Sequence, residues 1–476
     1  MNAGRRSSSA GGRRAIAAAI PLIVIAFLAA WWLWLRQPPR PNIVLISLES
    51  VRADHLGCYG YRRATSPAID SLAQQGVVFS NAFATTSWTL TAHASMFTGL
   101  YPTAHQVVGP LDRLSDDYVT LAEVLARNGY QCAGVISGPY LLKAHGLSQG
   151  FDIYDQSASG ESQSASHKKE NSREVEASLR RFVTSLRDRK RPFFLFAYFW
   201  DPHYDYIPPA PFDRMFVTER MQPIDVANYE TSNTVNRSTP AAQLDYVISQ
   251  YDGEIRWTDY NIGRFFQALK RNRLWDDTVV IVVSDHGEEF FEHGTKGHKN
   301  DLYVEATRIP LIIKHAHSRA VGHDARLTSQ VDLFPTICEL ARVKDIPVQQ
   351  GLSFLGPLPP RDRPIDLELL TARYAPLPGG RFQAVGVRHW RSVVQDNYQL
   401  ITVAEDQRDE LYNLKADPDE HTNLHGRPDA PESAMLQALQ RFADDNEAIA
   451  KPHGAKGEAP LDESGIQRLR ELGYIK

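Results

Sequence analysis

Apolar residues in this chain fall into two textures. The first is the short unbroken run: Asn42–Leu48 (NIVLISL), Phe193–Phe199 (FFLFAYF) and Val279–Val283 (VVIVV) are almost free of polar side chains. Runs of this length, rich in β-branched and aromatic residues, predict strands buried on both faces, as in a parallel sheet covered by helices. Val77–Phe83, Gln131–Val135 and Leu311–Ile313 read as further strands. The second texture has helical spacing. Leu244, Ile248, Tyr251, Ile255, Ile262, Phe265 and Leu269 predict a long helix that delivers the chain to Val279. Shorter helices are expected over Pro67–Gln75, Thr120–Asn128, Val175–Arg187, Val331–Leu340 and Glu432–Asn446. Strands alternating with helices predict an α/β fold.

The pattern breaks in three places. Ser157–Ser172 is poor in apolar residues and rich in serine, so it reads as a surface loop. Around Gly351–Pro360, prolines and a glycine mark a boundary or a long surface connection. Beyond it, short strands at Gln383–Val387 and Gln399–Thr402 and the last helix predict a small α+β layer packed on the main one. At the other end, Ala15–Leu35 is apolar throughout and long enough to cross a bilayer as a helix. Arg5, Arg6, Arg13 and Arg14 precede it, which keeps the N-terminus in the cytoplasm and the body on the extracytoplasmic side. Trp31, Trp32 and Trp34 would form an aromatic belt at the outer interface. A cleavable signal peptide is the rival reading, with a shorter apolar region and a small-residue cleavage site. The expected organisation is a cytoplasmic segment (1–14), a membrane anchor (15–35), a proline-rich spacer (36–41), a catalytic domain (42–350) and a C-terminal subdomain (351–476).

Composition adds little to this. The chain has 476 residues, 43% hydrophobic and 23% charged, enough for a large core. A formal charge of −4 and the absence of a basic run with interleaved aromatics give no support for nucleic acid as a partner. Cys58, Cys132 and Cys338 have neither zinc-ligand spacing nor a disulfide framework.

The candidate chemistry lies where strands end. Glu49 follows the first buried run, His203 stands in WDPHYDY after Phe199, and Asp285 and His286 follow Val283 and Ser284. In open α/β sheets, ligands bind beyond the carboxyl ends of the strands. Thr89 precedes a helical turn expected near Thr91, a place where a hydroxyl serves as N-cap or helps hold an anion such as sulfate or phosphate. Carboxylate, imidazole and hydroxyl converging on one sheet edge are what a one-metal ester hydrolase needs. Each has an ordinary structural reading as well: a helix-favoured acid, a cap, a loop histidine bonded to backbone.

These segments resemble the sulfatases of the alkaline phosphatase superfamily. PNIVLISLESVRADHLGCYGY is similar to that family's opening strand and first metal-binding turn, SWTLTAHASMFTGLYPTAH to its nucleophile segment, DPHYDY to its DPHxPY histidine motif and TVVIVVSDHGEEF to its second metal motif. DELYNLKADPDEHTNL is similar to the C-terminal signature ELYDLxxDPxExxNL. The order is kept from Asn42 to the end of the chain. The resemblance implies a three-layer sandwich with a mostly parallel central sheet and a small C-terminal subdomain. It also implies one divalent ion (Mn, Mg, Zn or Ca) at Glu49, Asp285 and His286. Thr89 falls at the nucleophile, which also contacts the metal, and His203 at the histidine near the leaving group. His298 falls where some relatives place an oxyanion-contacting or acid residue. Two departures bear on function. Sulfatases oxidise a cysteine or serine to formylglycine, which a threonine cannot become, and Thr91, Ala92 and His93 replace the Pro, Ser and Arg of the motif C/S-x-P-S-R. A threonine with this ligand set is instead similar to the phosphoglycerol and phosphoethanolamine transferase, phosphodiesterase and phosphonate hydrolase branches. The expectation is a membrane-anchored hydrolase of a phosphate or sulfate ester, leaning to phosphate, acting on a small-molecule, glycan or lipid ester. An arylsulfatase-like enzyme, a transferase to an alcohol or lipid acceptor and an inactive binding homologue stand as alternatives.

Overall fold

The computed structural model describes residues 39–159, 171–227, 229–230, 232–318, 320–356, 363–376, 382–453, 457–460 and 466–467. The apolar segment Ala15–Leu35 lies outside them, and among the described residues no helix is long and apolar enough to cross a membrane. From Pro41 onward the chain forms one compact unit.

Its centre is a sheet of eight strands: β1 (Asn42–Leu48), β2 (Val77–Phe83), β3 (Gln131–Val135), β4 (Ile153–Asp155), β5 (Phe193–Phe199), β6 (Thr278–Ser284), β7 (Leu311–Lys314) and β8 (Gly322–Ser329), in the spatial order β8-β2-β7-β6-β1-β5-β3-β4. β1 pairs in parallel with β5 and β6. β7 alone runs against its neighbours, β2 and β6. The unbroken apolar runs follow from burial on both faces. Along β1, Ile43 and Leu45 enter one hydrophobic core, while Val44, Ile46 and Leu48 enter the other. β6 divides likewise, with Val279, Ile281 and Val283 on the first face and Val280 and Val282 on the second.

Helices cover both faces. α1 (Pro67–Ala73), α4 (Ser172–Arg181) and the 31-residue α5 (Ala241–Arg271) supply Ile69, Val175, Tyr251, Ile262 and Phe265 to the second core. α2 (Thr89–Thr98), α3 (Leu121–Arg127) and α6 (Leu333–Leu340) supply Leu90, Leu125 and Ile337 to the first. This is a three-layer α/β sandwich. α4 begins at Ser172, three residues before the expected start, because the distant Asp201 carboxylate accepts the Asn171 and Ser172 N–H groups at 2.5 and 2.8 Å. It ends in a π-helical turn, Phe182–Leu186.

The C-terminal layer differs from its expectation. The two short strands belong to a four-stranded antiparallel meander, β9 (Ile365–Pro376), β10 (Phe382–Gln395), β11 (Tyr398–Val403) and β12 (Arg408–Asn413). β9 escapes a simple reading because its polar residues are buried as well. Asp366 and Glu368 alternate with Ile365, Leu367 and Leu369, and all five lie inside. Glu368 Oε2 accepts the Thr103 N–H (2.9 Å) and hydroxyl (2.7 Å), and the Glu368 N–H donates to Thr85 O at 2.8 Å. The acidic face of β9 is therefore turned to the main layer. β10 is half-hidden from pattern analysis for the opposite reason, since Gln383–Arg388 is exposed on both faces. α7 (Glu432–Ala450) closes the far side of this sheet through Met435, Ala438 and Leu439. The three cysteines are free thiols, Cys58 half-buried and the others buried.

Candidate functional site

The register of β1 on β6 sets the site. Leu48 pairs with Ser284, so the next residues, Glu49 and Asp285, leave the sheet side by side. The Asp285 N–H donates to Leu48 O at 3.1 Å, and the Glu49 N–H to Phe199 O at 3.0 Å, which fixes both turns to the sheet edge. Ser50 then adopts φ 53°, in the left-handed region that few non-glycine residues occupy. This turns its N–H onto Asp285 Oδ1 (3.0 Å) while its hydroxyl donates to Glu49 Oε1 (2.7 Å). A strained residue held by two such bonds is typical of a functional turn.

Thr89 reaches the same point from α2. It is the first residue of that helix, so it neither precedes a turn starting at Thr91 nor serves as a cap: Trp88 is the N-cap, in extended backbone, with no side-chain cap bond. The fully buried Thr89 hydroxyl lies 3.3 Å from each Glu49 oxygen and 3.2 Å from His286 Nε2. The opening turn of a helix leaves backbone N–H groups without intrahelical partners, and these favour an anion. His93, one turn on, donates from Nδ1 to Thr89 O (2.8 Å), and its Nε2 meets Ser47 Oγ at 2.9 Å. Burial pulls His93 down to about 3, so the residue at the motif's arginine position is neutral here.

The histidines are oriented by carbonyls and carboxylates. His286 Nδ1 faces Gly287 O at 2.9 Å, which can only accept, so its unprotonated Nε2 points at Thr89 Oγ1 and at Glu49 Oε1 (3.4 Å). Metal-bound histidines show this arrangement, with the second ring nitrogen donating to a carbonyl. His298 Nδ1 lies 3.1 Å from Glu288 Oε1, and its buried Nε2 has no hydrogen-bond partner. The His286 and His298 rings stand 4.4 Å apart. His203 is buried beside them, stacked on Trp200 at 3.9 Å and edge-on to His298 at 5.1 Å, with Nδ1 held by Tyr204 O at 2.5 Å. The structure thus brings together Glu49, Thr89, Asp285, His286 and His298, with His203 beside them.

The donor set fits a divalent cation. Glu49, His286 and His298 each offer an atom within 4.8 Å of the others'. Asp285 Oδ1 is occupied by the Ser50 and His286 N–H groups, whereas Oδ2 receives no hydrogen bond and lies 3.7 Å from His286 Nε2. Burial pushes Glu49 up to about 7, and burial with the neighbouring Glu49 pushes Asp285 well above the usual carboxylate range. Two adjacent buried carboxylates with no cationic partner are what a metal would relieve.

Several members of the site were not singled out from the sequence. Tyr198 donates its hydroxyl to Glu49 Oε2, Ser50 ties Glu49 to Asp285, and Glu288 orients His298. The available signal was a lone polar atom inside an apolar run: the Tyr198 hydroxyl in FFLFAYF and the Ser47 hydroxyl in NIVLISL.

Comparison with known proteins gives a consistent picture. The family model described as Sulfatase matches residues 41–343, and one described as N-sulphoglucosamine sulphohydrolase, C-terminal, matches residues 292–444. An arylsulfatase of Clostridium perfringens is 26% identical over 66% of this chain and 77% of its own length. The multifunctional alkaline phosphatase superfamily protein PehA of Trinickia caryophylli is 26% identical over 82% of this chain and 92% of its own. In fold, the phosphonate monoester hydrolase of Agrobacterium radiobacter superposes with a TM-score of 0.66 at 22% identity, covering 87% of this chain and 96% of that one.

Proposed function

The chain belongs to the sulfatase family of the alkaline phosphatase superfamily, a hydrolase of sulfate or phosphate esters, and from that premise we propose that it cleaves a phosphate ester by attack of the Thr89 hydroxyl. The observation that carries this reading is the placement of Thr89 Oγ1, buried at the head of α2 within 3.3 Å of Glu49 and 3.2 Å of His286. A threonine has no route to formylglycine, so sulfatase chemistry through an aldehyde hydrate is closed at this position, whereas direct attack by an alcohol on phosphorus is open.

Glu49, Asp285 and His286, with His298 in reach, would hold one divalent cation. When bound, it supplies Lewis acidity at the reacting oxygens and lowers the pKa of a neighbouring hydroxyl. The rest falls to the chain's own groups. Glu49 lies where it can take the Thr89 proton. Thr89 Oγ1 forms the new ester bond as the bond to the leaving oxygen breaks in line with it. Backbone N–H groups at the start of α2 face the equatorial oxygens of the transferred group. His203, whose Nδ1–H is committed to the Tyr204 carbonyl, acts as the imidazolium and delivers its Nε2 proton to the leaving oxygen, a contribution of about a hundred- to ten-thousand-fold in comparable enzymes. Water then attacks the phosphorus of the phospho-threonine, phosphate leaves and the Thr89 hydroxyl is restored; an alcohol in place of water would make the enzyme a transferase. Specificity is assigned to the loops Ala104–Asp117 and Tyr204–Asn236. We read Ala15–Leu35 as a membrane anchor, with residues 42–350 as catalytic domain and 351–476 as subdomain on the extracytoplasmic side.

Mass spectrometry of the protein trapped with phosphate monoester, phosphate diester and aryl sulfate substrates tests this reading. A phosphoryl adduct on Thr89 is expected. A sulfuryl adduct there would turn the assignment to a sulfatase, and turnover with no adduct at Thr89 would remove it as nucleophile.

A further inference from the structure

A second group of buried donors lies away from the Thr89 cluster, where the C-terminal segment crosses the loop that follows β6. His293 belongs to that loop, Glu305 to the short helix Val304–Thr307 and Glu420 to the chain after β12. One donor atom from each falls within 4.8 Å of the other two. The arrangement is not a solvated acidic patch. The Glu305 side chain is 5% exposed and the whole of Glu420 only 1%. Glu420 uses Oε2 to accept the Val304 N–H at 2.8 Å, which leaves Oε1 buried and without a hydrogen-bond partner. Glu305 Oε2 and His293 Nε2 are likewise buried atoms without hydrogen bonds, facing each other at 3.4 Å. The His293 ring is clamped flat on Tyr303, with centroids 3.7 Å apart, so its edge is held toward the two carboxylates. Nearby, the carboxyl groups of Glu289 and Asp301 both lie on the Thr295 hydroxyl.

We propose that His293, Glu305 and Glu420 bind a second divalent metal ion, of the zinc or manganese type, that fastens the C-terminal segment to the loop carrying His298. One imidazole and two carboxylates suit a borderline cation better than calcium, which prefers oxygen ligands alone. Three protein ligands leave room for water to complete the shell. A protonated His293 pairing with Glu305 would offset one of the two carboxylates and leave Glu420 Oε1 without a partner; a divalent ion answers both.

The test is metal stoichiometry on the full chain. The protein is stripped with chelator, reloaded with Zn2+ alone or Mn2+ alone, desalted and measured by inductively coupled plasma mass spectrometry. His293→Asn and Glu420→Gln are each expected to carry one ion per chain fewer than the unmutated protein. Asp285→Asn, at the other cluster, is expected to leave the His293-dependent ion in place. Equal metal content in the unmutated protein and in His293→Asn overturns the proposal. His293 is only partly buried, so this variant decides the matter even where Glu420→Gln fails to fold. An ion lost with Asp285→Asn but retained in His293→Asn locates metal at the Thr89 cluster alone, and likewise overturns it.

Discussion

The proposed mechanism concentrates the chemistry in one hydroxyl, that of residue 89. Thr89→Ala removes that oxygen and leaves Glu49, Asp285, His286 and His298 in place, so turnover is expected to fall by more than about a thousandfold while metal content is retained. Steady-state rates with matched metal analysis check both halves. Unchanged activity would send the search to another nucleophile. A second residue reports on pH. His105 is buried, with Nε2 at 3.0 Å from Ser95 Oγ and Nδ1 accepting the Val107 N–H at 3.1 Å, and burial pulls it down to about 3 from an ordinary 6.5. Between those values the unfolded chain binds a proton that the folded protein refuses. Stability is therefore lost as pH falls from 6.5 toward 3, by up to about 1.4 kcal/mol per pH unit from this group. Urea unfolding of His105→Gln across that window is expected to show a shallower slope, and an identical slope would exclude the residue. Of the six candidate residues, Glu49, Thr89, His203, Asp285 and His286 were legible as residue types at strand ends or a helix start, and His298 only through the family resemblance. Their partners Ser50, Tyr198 and Glu288 were not, because a hydrogen bond across the sheet has no local spacing to betray it.

At the scale of elements, most of the sandwich was written in the hydrophobic pattern. β1, β3 and β5 keep the boundaries that the apolar runs predict, since a strand buried on both faces leaves no ambiguity of period, and the less buried β2 keeps its boundaries as well. The meander β9–β12 was legible only in fragments, because Asp366 and Glu368 are buried in a strand that reads as half polar, the Glu368 carboxylate serving Thr103 rather than solvent. The turn after β6 shows how closely elements meet near the site. The Gly287 and Glu288 N–H groups donate to Ala306 O and Glu305 O at 2.8 and 3.0 Å, and a Cβ on Gly287 would lie 1.9 Å from Glu305 O. Backbone cannot swing aside as a side chain can, so only glycine permits this approach. Gly287→Ala is expected to destabilise the protein by about 1–3 kcal/mol or more and to lower activity further by displacing His286. Urea midpoints and rates measured together test it, and a variant with unaltered stability would show that the two turns can separate.

For the whole molecule, the ordered run of motifs from Asn42 onward made the family legible, whereas the ester and its acceptor were not, because the loops to which we assign that choice have no readable periodicity. The anchor assigned to Ala15–Leu35 gives a prediction at this scale: the full chain is expected to sediment with membranes, and a chain starting at Pro41 to be soluble with undiminished activity on a small aryl ester. Membrane association that survives the deletion would relocate the contact to the catalytic body. The register of Leu48 against Ser284 carries an evolutionary consequence. Glu49 and Asp285 are spaced by the sheet itself, while Thr89 arrives on a helix from elsewhere in the chain. On the proposed mechanism, the attacking group, and with it the kind of ester consumed, could be exchanged by altering one helical turn while the rest of the cradle stays unchanged.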